Sequence, residues 1–535
     1  LTLHHPREAR QYYAHGTWRE DTFYSLLTGH AQARPDAFAL RDGARRLTWR
    51  EVLAWVDGAA AEFNRQGLVG GDRVSFWMPN KVEAVVAFLA CGREGLACNP
   101  SLHRTHTSAD VAVLLDRLQC KALVTEPGWG ADGASADLPG VLSSVPSLRK
   151  VYMRNDFPEP GPANTAPVSD PDKVSYLAFT SGTTGTPKCV MHSDNTLLAN
   201  ARDLARDWGH DTRTVLLSLS PLSHHIAWVA VAQWLITGCE FVIDDPPAGK
   251  SRLDWIVETG ATYVMGVPTH AIDMLAEQSA RNLATMGAVK LFYMAGAPIP
   301  PSVCEAFVRQ GIKPQNIYGM TENSSHQYTH PSDDEATIVN TCGRGGPGYE
   351  VRLFDLLDEN REVTVGEVGQ IGGRGAALML GYFDNQGATE QSFNRDGWFM
   401  SGDLGVLDAR GNLEIVGRLK DVIIRGGHNI YPAGIEALAL RHPAVLKAAA
   451  FPVADERLGE RVCLAVIGAV EGHAMLQHLQ AEGLSKYDMP EFFLSVTEFP
   501  LTASGKILKR ELVEMVKRGV LSPQPVRFGS AREVA

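Results

Sequence analysis

Short apolar runs at 73–78, 122–125, 215–219 and 263–267 alternate along the chain with longer stretches, 81–90 and 109–118, whose apolar positions recur every three to four residues. The short runs fit buried strands and the longer period fits helices, so the first half predicts βαβ units around a parallel sheet. The most apolar stretch, 226–236, is too short for the ~20 residues of a membrane span and is interrupted by Gln233, which predicts a buried helix. Residues 127–170, rich in Gly, Pro, Ser and Asp, predict a largely irregular surface connection before a strand at 174–180. From about residue 351 the texture changes to short strands and tight turns (351–354, 369–373, 398–407, 413–417), as in a small β-rich subdomain. After Lys420 it returns to mixed type: a strand at 422–424, a helix at 433–442, a strand at 462–468 and a basic helical tail over 506–518. The pattern predicts an α/β chain: a large N-terminal domain of mixed α/β subdomains with the β-rich subdomain over 1–418, and a small α+β C-terminal domain over 419–535.

The 535 residues exceed the ~250–300 at which a single core stops growing, which agrees with two domains. With 50 basic against 61 acidic residues, the net charge of -11 argues against a broad footprint for nucleic acid or anionic membrane. From Asp421 onward the two signs balance, 13 and 13, so the whole deficit lies in residues 1–420. The eight cysteines are scattered with no CxxC pair, which predicts reduced, mostly buried thiols and a cytoplasmic protein. Residues 1–18 hold several His and Arg but no long apolar run, so no secretory signal is expected there.

The strongest local signal is Thr180-Ser181-Gly182-Thr183-Thr184-Gly185-Thr186-Pro187-Lys188, after the strand at 174–180. Glycines let backbone N–H groups face inward, hydroxyls add donors and Lys188 adds a charge, a combination that wraps a polyphosphate. It departs from the common nucleotide P-loop, which needs Gly before Lys and Ser or Thr after it; here Pro187 precedes and Cys189 follows. A flexible surface turn is the rival reading. Gly343-Arg344-Gly345-Gly346-Pro347-Gly348 satisfies GxGxxG, but a run of strand character follows instead of a helix, so a turn is expected.

In order along the chain, 180–188, Tyr318-Gly319-Met320-Thr321-Glu322, Ser401-Gly402-Asp403-Leu404, Gly417-Arg418-Leu419-Lys420-Asp421 and Thr502-Ala503-Ser504-Gly505-Lys506-Ile507 resemble the core motifs of the adenylate-forming superfamily. Its members include acyl- and aryl-CoA synthetases, luciferases and the adenylation domains of peptide synthetases. The resemblance spans roughly residues 30–515. Within the family the chain looks most like a stand-alone bacterial acyl-CoA ligase of the kind acting on alicyclic acids such as cyclohexanecarboxylate.

The resemblance implies a ligase joining a carboxylic acid to coenzyme A with ATP and Mg²⁺, releasing AMP and pyrophosphate. It also implies that Thr180, Ser181, Gly182, Thr183, Thr184, Gly185 and Lys188 cradle the β- and γ-phosphates, that Glu322 holds Mg²⁺ and that Thr321 touches the α-phosphate. Asp403 would accept the ribose hydroxyls with support from Arg418. Gly296, Ala297 and Pro298 with Asn316, Ile317, Tyr318 and Gly319 would frame the adenine. The C-terminal domain would be mobile, turning about Lys420. It would bring first Lys506, as the catalytic ammonium group, and then Arg425, Gly426 and Gly427, lining a tunnel for the pantetheine arm. The rival readings are a solvated basic face for 506–510 and a plain tight turn for Gly427.

Pro221-Leu222-Ser223-His224-His225 matches a Pro-x-x-His segment of acyl-CoA synthetases, which implies His224 near the substrate carboxylate; a satisfied buried histidine is the alternative. Trp228, Gly266, Met320 and His326 are candidate walls of the acid pocket. In amino-acid-activating relatives an aspartate stands near the position of His225, so an acid without an α-amine is expected: alicyclic, aryl or short-to-medium-chain. Two other readings stand beside the ligase: an enzyme loading a carrier protein, and a non-catalytic nucleotide-binding regulator, which would need a broken site. The expected partners are small molecules, for a monomer or homodimer.

Overall fold

A computed structural model of the chain describes residues 4–180, 187–297, 299–501 and 507–527. The chain forms two compact units, Leu1–Glu350 with Arg374–Ser392, and Val351–Gly373 with Phe393–Ala535. The β-rich stretches therefore group with the C-terminal residues.

Two large sheets organise the first unit. In one, of eight strands, Val215–Ser218, Tyr263–Gly266, Leu291–Met294 and Lys313–Met320 run parallel as neighbours. The other has seven strands, with Arg73–Trp77 parallel to both Ala97–Asn99 and Ala122–Thr125 at its centre. The helices Val82–Glu94, Asp194–Trp208 and His225–Thr237 carry buried residues nearly all the way round. His225–Thr237 is apolar nearly all round and is stable only when enclosed; the other two also bury polar side chains, Glu83 and Arg93 in one and Asp194, Asn195 and Asn200 in the other. The apolar stretch at 226–236 is thus the buried helix its composition predicts, and among the described residues no helix is long and apolar enough to cross a membrane.

The connection at 127–170 is less irregular than expected. It contains the short helix Leu138–Leu142 and the strand Lys150–Met153, which pairs in parallel with Ala122–Thr125 and closes one edge of the seven-stranded sheet. Four residues amid Gly, Ser and Asp are too few to show a period. The GxGxxG segment is a turn leading into the strand Tyr349–Phe354, as its surroundings imply. Its glycines are required by close approach: a Cβ on Gly343 would lie 2.2 Å from the Tyr328 carbonyl oxygen, and one on Gly345 2.2 Å from that of His326.

Next to this turn, the helix Pro6–Ala14 and Trp18 pack onto the stretch 374–378. Trp18 Nε1 donates to the Ala376 carbonyl at 2.9 Å, the His4 ring meets the Leu378 carbonyl at 2.9 Å, and Tyr13 donates to Asp172 at 2.8 Å.

The second unit contains a four-stranded sheet in the order Tyr349–Phe354, Gly369–Gly375, Phe399–Leu407, Leu413–Arg418. Its six-stranded sheet is centred on Gly459–Gly468, whose long antiparallel partner Val445–Asp455 is hard to see in an Ala-rich sequence. The helices Pro432–Ala439, Gly472–Ala481 and Lys509–Lys517 cover it.

Candidate active site

The parallel strands of the eight-stranded sheet end on one edge, and an open α/β sheet binds ligands outside the carboxyl ends of its strands. The motif residues of the first unit gather there. After Val215–Ser218 the chain reaches His224, the residue before the helix His225–Thr237. After Tyr263–Gly266 comes the helix Pro268–Ala280, and a Cβ on Gly266 would lie 2.9 Å from His270 Nδ1. Gly296 and Ala297 are exposed just past Leu291–Met294, with Gly296 at φ +87° against Val267 and Ile226. Tyr318, Gly319 and Met320 end the fourth strand, and Thr321 and Glu322 form the turn to Ser324–Tyr328. Gly319 is fixed by space, since a Cβ there would stand 1.8 Å from the Ser324 carbonyl oxygen.

Glu322 is the chemical centre of this turn. Its backbone carbonyl accepts from Met379 N–H at 2.7 Å, and its carboxylate Oε1 accepts from the Tyr382 hydroxyl at 2.9 Å. Burial, then the Glu322 charge, pushes the Tyr382 phenol far up, so it stays a donor. On the face of the same ring sits the Lys188 ammonium, 4.5 Å from the centroid. Lys188 begins the strand Lys188–Ser193, which pairs antiparallel with Val174–Thr180 so that Thr180 and Lys188 face each other. The other edge of that strand pairs Val190 with Tyr382. The base of the expected phosphate loop and Glu322 therefore converge on one tyrosine. Ser181, Gly182, Thr183, Thr184 and Gly185 lie outside the described residues, as does Pro298.

Two histidines brace the same turn: His192, which no motif includes, and His225, from the Pro-x-x-His segment. His192 meets the Thr321 carbonyl at 2.6 Å and Thr196 Oγ1 at 2.9 Å. His225 bridges Tyr176 Oη at 3.1 Å and Ser324 Oγ at 3.0 Å, and its ring stacks 5.5 Å from that of His192. Burial holds His192 down to about 4 and His225 well below its ordinary value, so both rings are neutral at pH 7.

The other expected wall residues differ in position. Met320 is partly exposed at the sheet edge, whereas Trp228 is in the core, its N–H given to the Leu222 carbonyl at 2.7 Å and its ring against Phe88 and Phe76. His326 is also enclosed, between the rings of Tyr318 and Tyr349 at 5.4 and 4.2 Å. His224 is half-buried, and its ring lies 4.5 Å from that of His103, which in turn meets Ser223 Oγ at 3.1 Å. Of the expected adenine frame, Ile317 is core, and the Asn316 amide is held by the Ile338 carbonyl at 2.6 Å.

In the second unit, Asp403 and Arg418 are register partners on adjacent antiparallel strands, with Arg418 Nε 3.1 Å from Asp403 Oδ1. The guanidinium supports the carboxylate that the motifs assign to ribose. Lys420 is exposed within the short turn Leu419–Asp421. Arg425 is committed within its own unit, to Glu491 at 2.8 Å and the Tyr487 carbonyl. Gly426 and Gly427 both have positive φ, +58° and +87°, in the two-residue turn between Arg425 and His428, and that backbone alone calls for glycine. Lys506 lies outside the described residues; Leu501 and Ile507 pair on either side of it.

Comparison with known proteins decides the family. The model of the AMP-binding enzyme family matches residues 27–383, and that of the AMP-binding enzyme C-terminal domain matches 434–506. The chain belongs to the AMP-binding enzyme family. This is the adenylate-forming group that the motif order resembles, and among its members the chain falls with the acyl-CoA synthetases. It is 28% identical to a medium-chain fatty-acid–CoA ligase of Escherichia coli, over 95% of this chain and 93% of that one. It is 31% identical to a Streptomyces salicylyl-CoA synthase / salicylate adenylyltransferase, covering 96% and 97%. The solved o-succinylbenzoate CoA synthetase of Bacillus subtilis, in complex with its acyl-adenylate intermediate, superposes with a TM-score of 0.81 at 25% identity, over 92% of this chain and 98% of that one.

Proposed function

We propose that this enzyme is an ATP-dependent carboxylic acid–CoA ligase that forms acyl-CoA, AMP and pyrophosphate through an acyl-adenylate. The reading rests on the cation, phenol and carboxylate of Lys188, Tyr382 and Glu322, joined at the end of a parallel sheet within a matching family. A carboxylate resists nucleophiles because of its charge, and transfer of AMP makes it a mixed anhydride that a thiol can attack. Negative charge develops on the phosphates, so fixed cations and N–H donors supply the catalysis.

Thr180, the loop 181–185 and Lys188 hold the β- and γ-phosphates in this reading, and Thr321 contacts the α-phosphate. Glu322, a buried oxygen donor next to a hydroxyl, suits a hard cation that takes few protein ligands, and Mg²⁺ there would neutralise phosphate charge. Tyr318, Gly296 and Ala297 frame the base, and Asp403 with Arg418 takes the ribose. Residues 1–418 act as the binding domain and 419–535 as the domain that carries Lys506 about a hinge at Lys420, with Arg425, Gly426 and Gly427 on the coenzyme A path. The acid lacks an α-amine: the ring of His225, at the position where amino-acid-activating relatives place a carboxylate, is neutral and committed to Tyr176 and Ser324. His224 stands near the acid carboxylate.

A panel of benzoate, cyclohexanecarboxylate and short and medium fatty acids, assayed for AMP release with ATP, Mg²⁺ and coenzyme A, identifies the substrate. Lys506→Ala should abolish acid-dependent pyrophosphate release while sparing thioester formation from supplied acyl-adenylate; normal pyrophosphate release would remove Lys506 from the mechanism. A second reading keeps the adenylation step, which the relative named both a CoA synthase and an adenylyltransferase has in its name, and transfers the acyl group to a carrier protein instead of coenzyme A. Turnover with coenzyme A alone excludes it.

A further inference from the structure

We propose that Tyr382 is a positioning residue that sets the Glu322 carboxylate for the metal and the Lys188 ammonium for the phosphates, through opposite parts of one side chain. This rests on the roles given to Glu322 and Lys188 above. No motif points to Tyr382; it follows Gly381 in a stretch that reads as short strands and turns. Its hydroxyl donates to Glu322 Oε1 at 2.9 Å, and its ring face lies 4.5 Å from Lys188 Nζ. Tyr382 is only 5% exposed and Glu322 is buried, so the bond between them is shielded from water, while Lys188 is half-buried.

The backbone around Tyr382 is fixed from several sides. Tyr382 N–H donates to Thr389 Oγ1 at 2.9 Å, Phe383 N–H to the Cys189 carbonyl at 2.7 Å, and Leu380 N–H to the Met191 carbonyl at 2.8 Å. The ring is thus tied to the strand that begins with Lys188, while Met379 N–H is tied to Glu322. A carboxylate and an ammonium group come from segments 134 positions apart in sequence, and one phenol gives both a fixed orientation. The hydroxyl fixes the carboxylate rotamer, as hydrogen bonds to metal-ligating carboxylates do. The ring face fixes the cation without neutralising it, so its charge stays available to an anion.

The two contacts can be separated. Tyr382→Phe keeps the ring and removes the hydroxyl; Tyr382→Leu removes both. Binding of ATP to the intact protein, without acid or coenzyme A, is measured by calorimetry across a Mg²⁺ series, with bound Mn²⁺ followed by electron paramagnetic resonance. Tyr382→Phe should need about 10- to 100-fold more metal for half-maximal enhancement of ATP binding, the usual cost of losing such a partner, with metal-free ATP affinity unchanged. Tyr382→Leu should show the same shift and, in addition, weaker metal-free binding. A merely structural role would lower the melting temperature without separating the metal-dependent from the metal-free affinity. Wild-type metal dependence in folded Tyr382→Phe overturns the proposal. Glu322→Gln is the parallel control: if it too has wild-type metal dependence, the metal role of Glu322 falls along with that of Tyr382.

Discussion

His326 and His192 show what burial does to a single titratable group. Burial keeps their rings neutral, His326 down to about 3 and His192 to about 4, against an ordinary value of 6.5. In the unfolded chain these rings take up protons near pH 6.5, whereas the folded protein refuses them until far lower. Their contribution to stability is therefore full above pH 6.5 and is lost as pH falls toward 4, by about 1.4 kcal/mol per pH unit for each ring within that window. The melting temperature should accordingly fall between pH 7 and pH 5, and His326→Phe should flatten that fall; an unchanged pH slope in the variant would show that His326 titrates normally. No motif exposes this behaviour, because a histidine's sequence neighbours do not reveal that its ring lies between two tyrosines. The motif residues were legible for the opposite reason. Asp403 and Arg418, read from separate motifs, are register partners, and Thr180 and Lys188 close one hairpin. Tyr382 is not legible in the sequence because its partners come from the distant residues 188 and 322, and one tyrosine carries no spacing signal.

The N-terminal helix Pro6–Ala14 and the stretch 374–378 form an element-scale device. Trp18, 4% exposed, gives its N–H to the Ala376 carbonyl, and Met379, three residues on, gives its own N–H to the Glu322 carbonyl. Trp18→Phe keeps most of the apolar contact but leaves that carbonyl without its donor, so urea unfolding should show a loss of about 1–3 kcal/mol. A loss below about 0.5 kcal/mol, the ordinary range of surface substitutions, would mean that water replaces the indole N–H freely. The strands and helices of clear period stand where the apolar pattern puts them: 122–125 and 174–180 match in full, and 81–90 and 109–118 fall within or nearly within Val82–Glu94 and Ser108–Arg117. The strands Lys150–Met153 and Val445–Asp455 were illegible because one is short and the other, rich in alanine, shows no alternation.

At the scale of the molecule, the six-stranded sheet has a core of its own. Ile423, Ile430, Ile435, Val462, Leu464, Val466 and Met475 bury one face, and Phe451, Phe499 and Leu512 the other. A fragment of residues 419–535 should therefore unfold cooperatively by circular dichroism, as a domain with its own core does. A non-cooperative melt would mean that this sheet depends on the strands at 351–373 and 393–418, with which it shares a compact unit. Cysteine placement gives the whole chain a practical handle. Seven thiols are buried, with Cys189, Cys239 and Cys304 pushed up to about 12 and Cys120 to about 11, while Cys342 alone is partly exposed. A maleimide dye added to the native enzyme should therefore label one position, next to the glycine turn that lies against His326 and Tyr328, and so provide a fluorescent reporter without any engineered cysteine.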